Sequence, residues 1–208
     1  MTAPRSRTTP ETPNLTLTVR PVTPDQWEPL VALFGEQGAC AGCWCMWWRL
    51  TARQWREGAG DGNRLALQRL IAAGQVHGLL SYVGGQPVGW CSFGPREQFP
   101  RLQRSSIARP VDDQPVWTVV CFFVQRRFRR QGVALALLRA AADYAAARGA
   151  RILEAHPVDT GRRRLRDDAL FTGLASMYRA AGFQEVARRS PTRPVMRRYL
   201  DAAAASPR

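Results

Sequence analysis

The chain reads as a single α/β domain on a mixed central sheet, and three consecutive stretches carry that prediction. VWTVVCFFV, residues 116–124, is a nearly continuous apolar run, the pattern of a central strand. VALALLRAAADYAAARGA, residues 133–150, repeats its apolar residues with helical period, placing positions 134, 138, 141 and 145 on one face, and Gly149 closes it. ARILEAHPV, residues 150–158, follows as a second buried strand. A strand, a crossover helix and a parallel strand form a right-handed unit.

The remaining elements follow in order. LTLTVRPV, residues 15–22, alternates apolar and polar positions as a half-buried strand does. Thr23 then stands as a helix cap, with Pro24 at the first helical position and Gln26 at the capping-box position. The helix is expected through Trp27, Leu30, Val31 and Phe34, stopping near Gly38. After a segment rich in cysteine and tryptophan, NRLALQRLIAAG (63–74) reads as a helix closed by Gly74. VHGLLSYVGGQPVGWCSFG (76–94) gives two strands joined by Gly84-Gly85, a hairpin signal. Residues 95–115 form a long proline-punctuated connection carrying Arg101, Arg104 and Arg109. After the second buried strand come an arginine-rich loop, GRRRLRDD (161–168), a helix around LASMYRAAG (174–182), and the strands FQEVARR (183–189) and VMRRYL (195–200). The order is β-α-α-β-β-β-α-β-α-β-β without repeats. Residues 1–14 are assigned as a flexible tail, 15–202 as the domain and 203–208 as a short C-terminal tail.

Composition narrows the classes. Of 208 residues, 45% are hydrophobic and 22% charged, which is globular and not disordered. No apolar run is long enough to span a bilayer, and MTAPRSRTTPETPN lacks the apolar stretch of a secretory signal, so a cytoplasmic chain without membrane attachment is expected. The formal charge is +14, from 30 basic and 16 acidic residues, which attracts anions in general. Every basic residue except the histidines is arginine, and the arginines are scattered, so charge alone does not select a nucleic-acid face.

Three of the five cysteines crowd into CAGCWCMWW as Cys40, Cys43 and Cys45. The spacing can open a thiolate metal site, but zinc takes four ligands. The fourth would have to come from Cys91, Cys121, His77 or His156, none in a paired motif, so no metal is expected. Two other readings stand: thiols packed among Trp44, Met46, Trp47 and Trp48, or an aromatic wall of a substrate cleft.

One dense basic run, FFVQRRFRRQG, ends at the junction of the central strand and the long helix. First-turn amides of a helix have no internal acceptors and the dipole there is positive, so a bend through Gly132 can aim several N–H groups at one phosphate cluster. Neither a Walker motif nor a dinucleotide fingerprint is present. Arg129-Arg130-Gln131-Gly132-Val133-Ala134 instead resembles the Arg/Gln-x-x-Gly-x-Gly/Ala motif of the GCN5-related N-acetyltransferase (GNAT) superfamily. YRAAGF, Tyr178 to Phe183, resembles its second signature, a tyrosine four residues before Gly-Phe. LTVRPVTPDQWEPL and the hairpin GGQPVGWCSF resemble its N-terminal half, so the likeness covers residues 15–200.

The resemblance implies the acyl-CoA N-acyltransferase (GNAT) fold and an acetyl-CoA-dependent N-acetyltransferase. The acetyl group would pass by direct attack to an amine of a small molecule or of a protein. Acetyl-CoA, the cosubstrate, would lay its pantetheine arm in a splay between VVCFFV and ILEAH, bonding backbone groups of Cys121, Phe122 and Val124. An amide near Phe122 or Phe123 would face the thioester oxygen. The pyrophosphate would sit on the amides of Arg129, Arg130, Gln131, Gly132, Val133 and Ala134, the two arginine side chains helping from the rim. Tyr178 resembles the general acid that protonates the coenzyme A sulfur, with a core aromatic as the plain alternative. For the base, Glu154 ranks ahead of His156; both lie on one face of the second strand. Cys121 is a nucleophile in principle, though a thiol in an apolar strand is usually inert. The alternatives left open are an inactive acyl-CoA-binding module and, with less support, a basic nucleic-acid-binding protein; the chain is expected as monomer or homodimer. The Cys/Trp segment, the 95–115 connection and GRRRLRDDALFTG depart from the family pattern, where acceptor specificity is set, and Arg162, Arg163, Arg164 and Arg166 would favour an acidic acceptor.

Overall fold

The computed structural model describes residues 16–161 and 167–200. A seven-stranded sheet runs in the order β1-β2-β3-β4-β5-β7-β6, with β1 Leu17–Pro21, β2 His77–Val83, β3 Gln86–Pro95, β4 Trp117–Val124, β5 Ile152–Ala155, β6 Gln184–Ser190 and β7 Arg193–Tyr199. Its one parallel contact is β4 with β5; the other neighbours are antiparallel. The helices are α1 Trp27–Phe34, α2 Ala52–Glu57, α3 Asp61–Ala72, α4 Pro100–Gln103, α5 Val133–Ala146 and α6 Ala175–Ala180. The expected mixed-sheet α/β domain is therefore what forms. The assigned tails, and Arg162, Arg163, Arg164 and Arg166, lie outside the described residues.

Strand alternation divides the core. Along β3, Cys91 and Phe93 turn toward α5, where Leu137, Leu138, Ala141 and Ala145 pack. Trp90, next to Cys91, turns the other way and joins Leu30, Phe34, Leu67 and Ile71 from α1 and α3. A smaller group of Trp48, Phe99, Leu102, Ala108 and Val120 lies under the 95–115 connection. The β2–β3 turn uses Gly84 at φ 55° and Gly85 at φ 77°, the paired left-handed residues that match strand twist in a tight hairpin. Ala134, expected on the core face of α5, is only half-buried; the buried stripe runs through Val133, Leu137 and Leu138.

Local signals failed where a tertiary partner competed. Thr23 caps nothing; its hydroxyl bonds Asp25, while the Gln26 side chain accepts from the Tyr82 hydroxyl. A 3-10 turn therefore covers Pro24–Gln26, and α1 ends at Gly35, short of Gly38. The unforeseen α2 is fixed by a capping box between Thr51 and Gln54.

The site depends on how β4 leaves β5. Only Trp117, Thr118 and Val119 pair, with Leu153, Glu154 and Ala155. Beyond Val119 the strands part. On the other edge of β4 the register with β3 shifts between Ser92 and Phe93, leaving Val120 unmatched. Backbone groups on the β5 side of β4 past Val119 thus lose their ladder partners and need others, while the β3 side stays paired.

Candidate functional site

A cavity of about 790 Å³ opens where the strands part, within the range of small-ligand sites. One end is the β4–α5 turn. Gly132 caps α5 at φ 81°, a conformation that favours glycine, and a Cβ built on it meets no protein atom within 4 Å. The first amides of α5 therefore point into open space without intrahelical acceptors. Arg129, Arg130, Gly132, Val133 and Ala134 line this end; Arg126, Arg127 and Gln131 do not, the last side chain donating to the Arg127 carbonyl at 2.7 Å. This donor set suits a diphosphate. The Arg129 side chain, expected at the rim, folds back to donate to the Val124 carbonyl at 3.0 Å.

The middle is the exposed edge of β4, with Cys121, Phe122, Phe123 and Val124 on the lining. Here the free-edge expectation needs correction. The Phe122 N–H donates to the Phe171 carbonyl at 2.7 Å, because the segment before α6 crosses the gap and supplies the acceptor that β5 withholds. Two of the backbone groups expected to hold pantetheine, the Phe122 N–H and the Val124 carbonyl, already have partners within the chain.

The far end is the Cys/Trp segment, where packing and cleft wall are both realised. Trp44 and Met46 point into the core, Trp44 lying 5.9 Å from the Trp27 ring and 5.6 Å from Phe34. Cys43, Cys45, Trp47 and Trp48 turn to the cavity with Cys40, Trp55, Trp90 and Phe34. Trp44 and Cys45 both hold positive φ, 45° and 56°, a strain of about 1–2 kcal/mol per residue that lets adjacent side chains face opposite sides. The Trp48 indole donates to the Val120 carbonyl at 3.0 Å, bolting the wall to the bulge. Trp47 meets Trp55 edge to face at 5.0 Å and carries the Arg101 guanidinium over its other side at 3.7 Å. Among the described residues, no three His, Cys, Asp or Glu side chains converge as metal ligands do.

The expected acid and bases stand elsewhere. Tyr178 is fully buried, edge to face with Phe183 and Phe122, and its hydroxyl donates to the Thr172 carbonyl at 3.1 Å. Burial pushes the phenol well above its usual range. Glu154 is fully buried between Arg96 and Arg197, each at 2.9 Å, and Arg197 also grips Asp112. His156 lies 3.5 Å from Glu154, so the two do share a face as strand alternation requires. Burial, followed by the charges of Arg96, Arg193, Arg197 and Arg189, pushes His156 down to about 3. None of the three lines the cavity. Sequence reasoning missed the knot because its arginines come from the 95–115 connection and from β7.

Residues 36–166 match the sequence profile of the Acetyltransferase (GNAT) family, so the chain belongs to that family. Solved structures share its fold. The acetyltransferase yncA of Salmonella typhimurium, solved with acetyl-CoA, is 17% identical over 91% of this chain and 96% of its own, with a TM-score of 0.53. The paia N-acetyltransferase of Thermoplasma acidophilum, in complex with coenzyme A, is 10% identical over 89% and 99%, with a TM-score of 0.51. A ribosomal-protein-alanine N-acetyltransferase from Brucella melitensis is 18% identical over 88% and 99%, with a TM-score of 0.52. No curated protein matches the chain in sequence. No described helix is long and apolar enough to cross a membrane.

Proposed function

We propose that the protein transfers an acetyl group from acetyl-CoA to the amine of a small apolar molecule with an aromatic or similarly flat body, by direct attack. The observation that carries this reading is the continuity of one cavity from the α5 amides to the tryptophan wall. The α5 end takes the diphosphate, with Arg130 at the rim and Arg129 steadying the end of β4. The edge of β4 takes the pantetheine, which competes with Phe171 for the Phe122 N–H. Among the described side chains the acceptor end offers Trp47, Trp48, Trp55, Trp90 and Phe34 and no carboxylate, so a polycation would lose its hydration there without compensation. Apolar enclosure favours a small acceptor over a protein surface.

One observation favours a second reading, an acyl-CoA-binding module without turnover: Glu154, His156 and Tyr178 all lie off the cavity. Calorimetry with acetyl-CoA, followed by coenzyme A release with an amine panel, separates the two. The acetyltransferase reading expects binding and turnover with arylalkylamines and arylamines, and little with aminoglycosides or polyamines. Binding without turnover across the panel supports the module, and absence of binding removes both.

A further inference from the structure

Acetyl transfer at neutral pH has to remove a proton from the acceptor ammonium and supply one to the coenzyme A thiolate. Among the described side chains, the cavity wall carries no Asp, Glu or His for either task. It does carry thiols, and one of them stands in an arrangement that stabilises its anion. Trp90 and Ser92 are two apart on β3 and share a face, and Cys121 stands directly across from Ser92 on β4. The left-handed turn at Trp44-Cys45 brings the Cys45 sulfur against this face, where the Trp90 indole N–H donates to it at 3.2 Å.

Among the described residues, the Arg49 guanidinium supplies the opposite charge. It lies 4.7 Å over the Phe99 ring, one of its terminal nitrogens is buried without a hydrogen-bond partner, and no carboxylate pairs with it among the described residues. A cation half withdrawn from water gains by having an anion close by.

We infer that Cys45 is the general base of the transfer, taking the proton of the acceptor ammonium and returning it, through Cys121, to the sulfur of the departing coenzyme A. This role rests on the acetyl-transfer reading above. The Cys45 thiolate accepts one proton from the ammonium, the freed amine attacks the thioester carbonyl carbon, and the thioester carbon–sulfur bond breaks. The proton then passes from Cys45 by way of Cys121 to the coenzyme A thiolate, which returns Cys45 to the thiolate, and the second proton, lost from the amine nitrogen on amide formation, leaves to solvent. Cys121 is placed for the relay because it lines the cavity on β4, beside the backbone that would carry pantetheine.

The ionisation of the neighbours agrees. Cys121, then the Trp90 indole, Ser92 and the Arg49 charge hold the Cys45 thiol at about 7 against the opposing effect of burial. Its titratable neighbours move the other way. Cys43 from the same segment is raised by burial, Cys91 on β3 well above 9 by burial, and Cys121 well above 9 chiefly by its bond to Cys45. A base that ionises near the working pH is the efficient one.

The test uses two acceptors of similar shape, an arylalkylamine that is an ammonium at neutral pH and an arylamine that is already neutral. With the first, kcat/KM of the wild type should rise with pH through about 7. Cys45→Ala should lower it about 10²-fold and remove that rise. With the arylamine the same variant should lose clearly less, since no ammonium needs a base and only the return of a proton to the coenzyme A sulfur is impaired. Equal losses for both acceptors, or an unaltered rise near neutrality in Cys45→Ala, overturn the role. Calorimetric binding of acetyl-CoA certifies that the variant is folded, with Cys45→Ser as the size-conserving substitute if Ala fails. Alkylation of Cys45 by iodoacetamide, read by peptide mass spectrometry, should track an ionisation near 7, because only the thiolate reacts. An ionisation at the ordinary thiol value overturns the proposal without touching acetyl transfer. Failure of the wild type to bind acetyl-CoA, or to turn over any panel amine, removes this role together with the reading beneath it.

Discussion

Two clusters of ionisable groups lie on the same face of the sheet, and they differ in what holds them and what reaches them. At β5, Glu154, His156, Arg96, Arg197 and Asp112 form a knot in which each carboxylate bonds a guanidinium and none lines the cavity. At β3 and β4, Cys45, Cys121, Trp90 and Arg49 form a cluster with no carboxylate, and both thiols open on the cavity. The knot is the more charged, and its Glu154 and His156 stand out in the sequence while its arginines do not. Access and an uncompensated cation, rather than the density of charge, mark the thiol cluster as the place for chemistry.

The knot should behave as structure. Glu154→Gln removes the negative partner of two arginines in a buried setting, which typically costs about 3–5 kcal/mol. Urea unfolding should register that loss while the rate per folded molecule stays unchanged. A stable Glu154→Gln protein with abolished transfer would move the base back to β5.

His156 supplies a smaller effect with a definite sign. Its ionisation is depressed in the fold, so its contribution to stability is complete above 6.5 and is lost as pH falls toward about 3. Unfolding free energy should decline on acidification below 6.5, approaching about 1.4 kcal/mol per pH unit for one proton. His77, also pushed down by burial, adds to the slope, so His156→Gln should flatten only part of it. The clean window ends near 4.5, where carboxylates such as Glu185 begin to take up protons when unfolded. A slope unaltered in His156→Gln contradicts the burial of a neutral imidazole.

Tyr178, packed in the core on the α5 side of the sheet, gives the smallest effect. Tyr178→Phe deletes the bond to the Thr172 carbonyl and should cost about 1 kcal/mol of stability. Its effect on kcat should be well below that of Cys45→Ala. A rate loss of about 10²-fold with stability intact would restore the phenol as the acid that the sequence resemblance implies.

What the sequence reveals of this molecule follows from how local each signal is. The continuous apolar strands, the Gly84-Gly85 turn and the Gly132 bend each act within a few residues, and each is found where it was expected. Thr23 and Gln26 also form a local signal, yet Tyr82, 56 residues away from Gln26, captured the glutamine. The six-residue α2 was marked by Thr51 and Gln54, a cap too short of apolar periodicity to be noticed. At the site the limits are sharper. Glu154 and His156 read as bases because the strand places them together, but Arg96 and Arg197, which neutralise Glu154, are 58 and 43 residues away. Cys45 read as one thiol among three, because the indole that singles it out is 45 residues on, across the sheet.

A crystal structure with coenzyme A tests the central claim most directly, since the sulfur must face one cluster or the other. The account predicts the diphosphate on the first amides of α5 and the sulfur turned toward Cys121 and Cys45, with the tryptophan wall beyond it. A sulfur directed at Glu154 and His156, or a diphosphate bound away from Gly132, would contradict it.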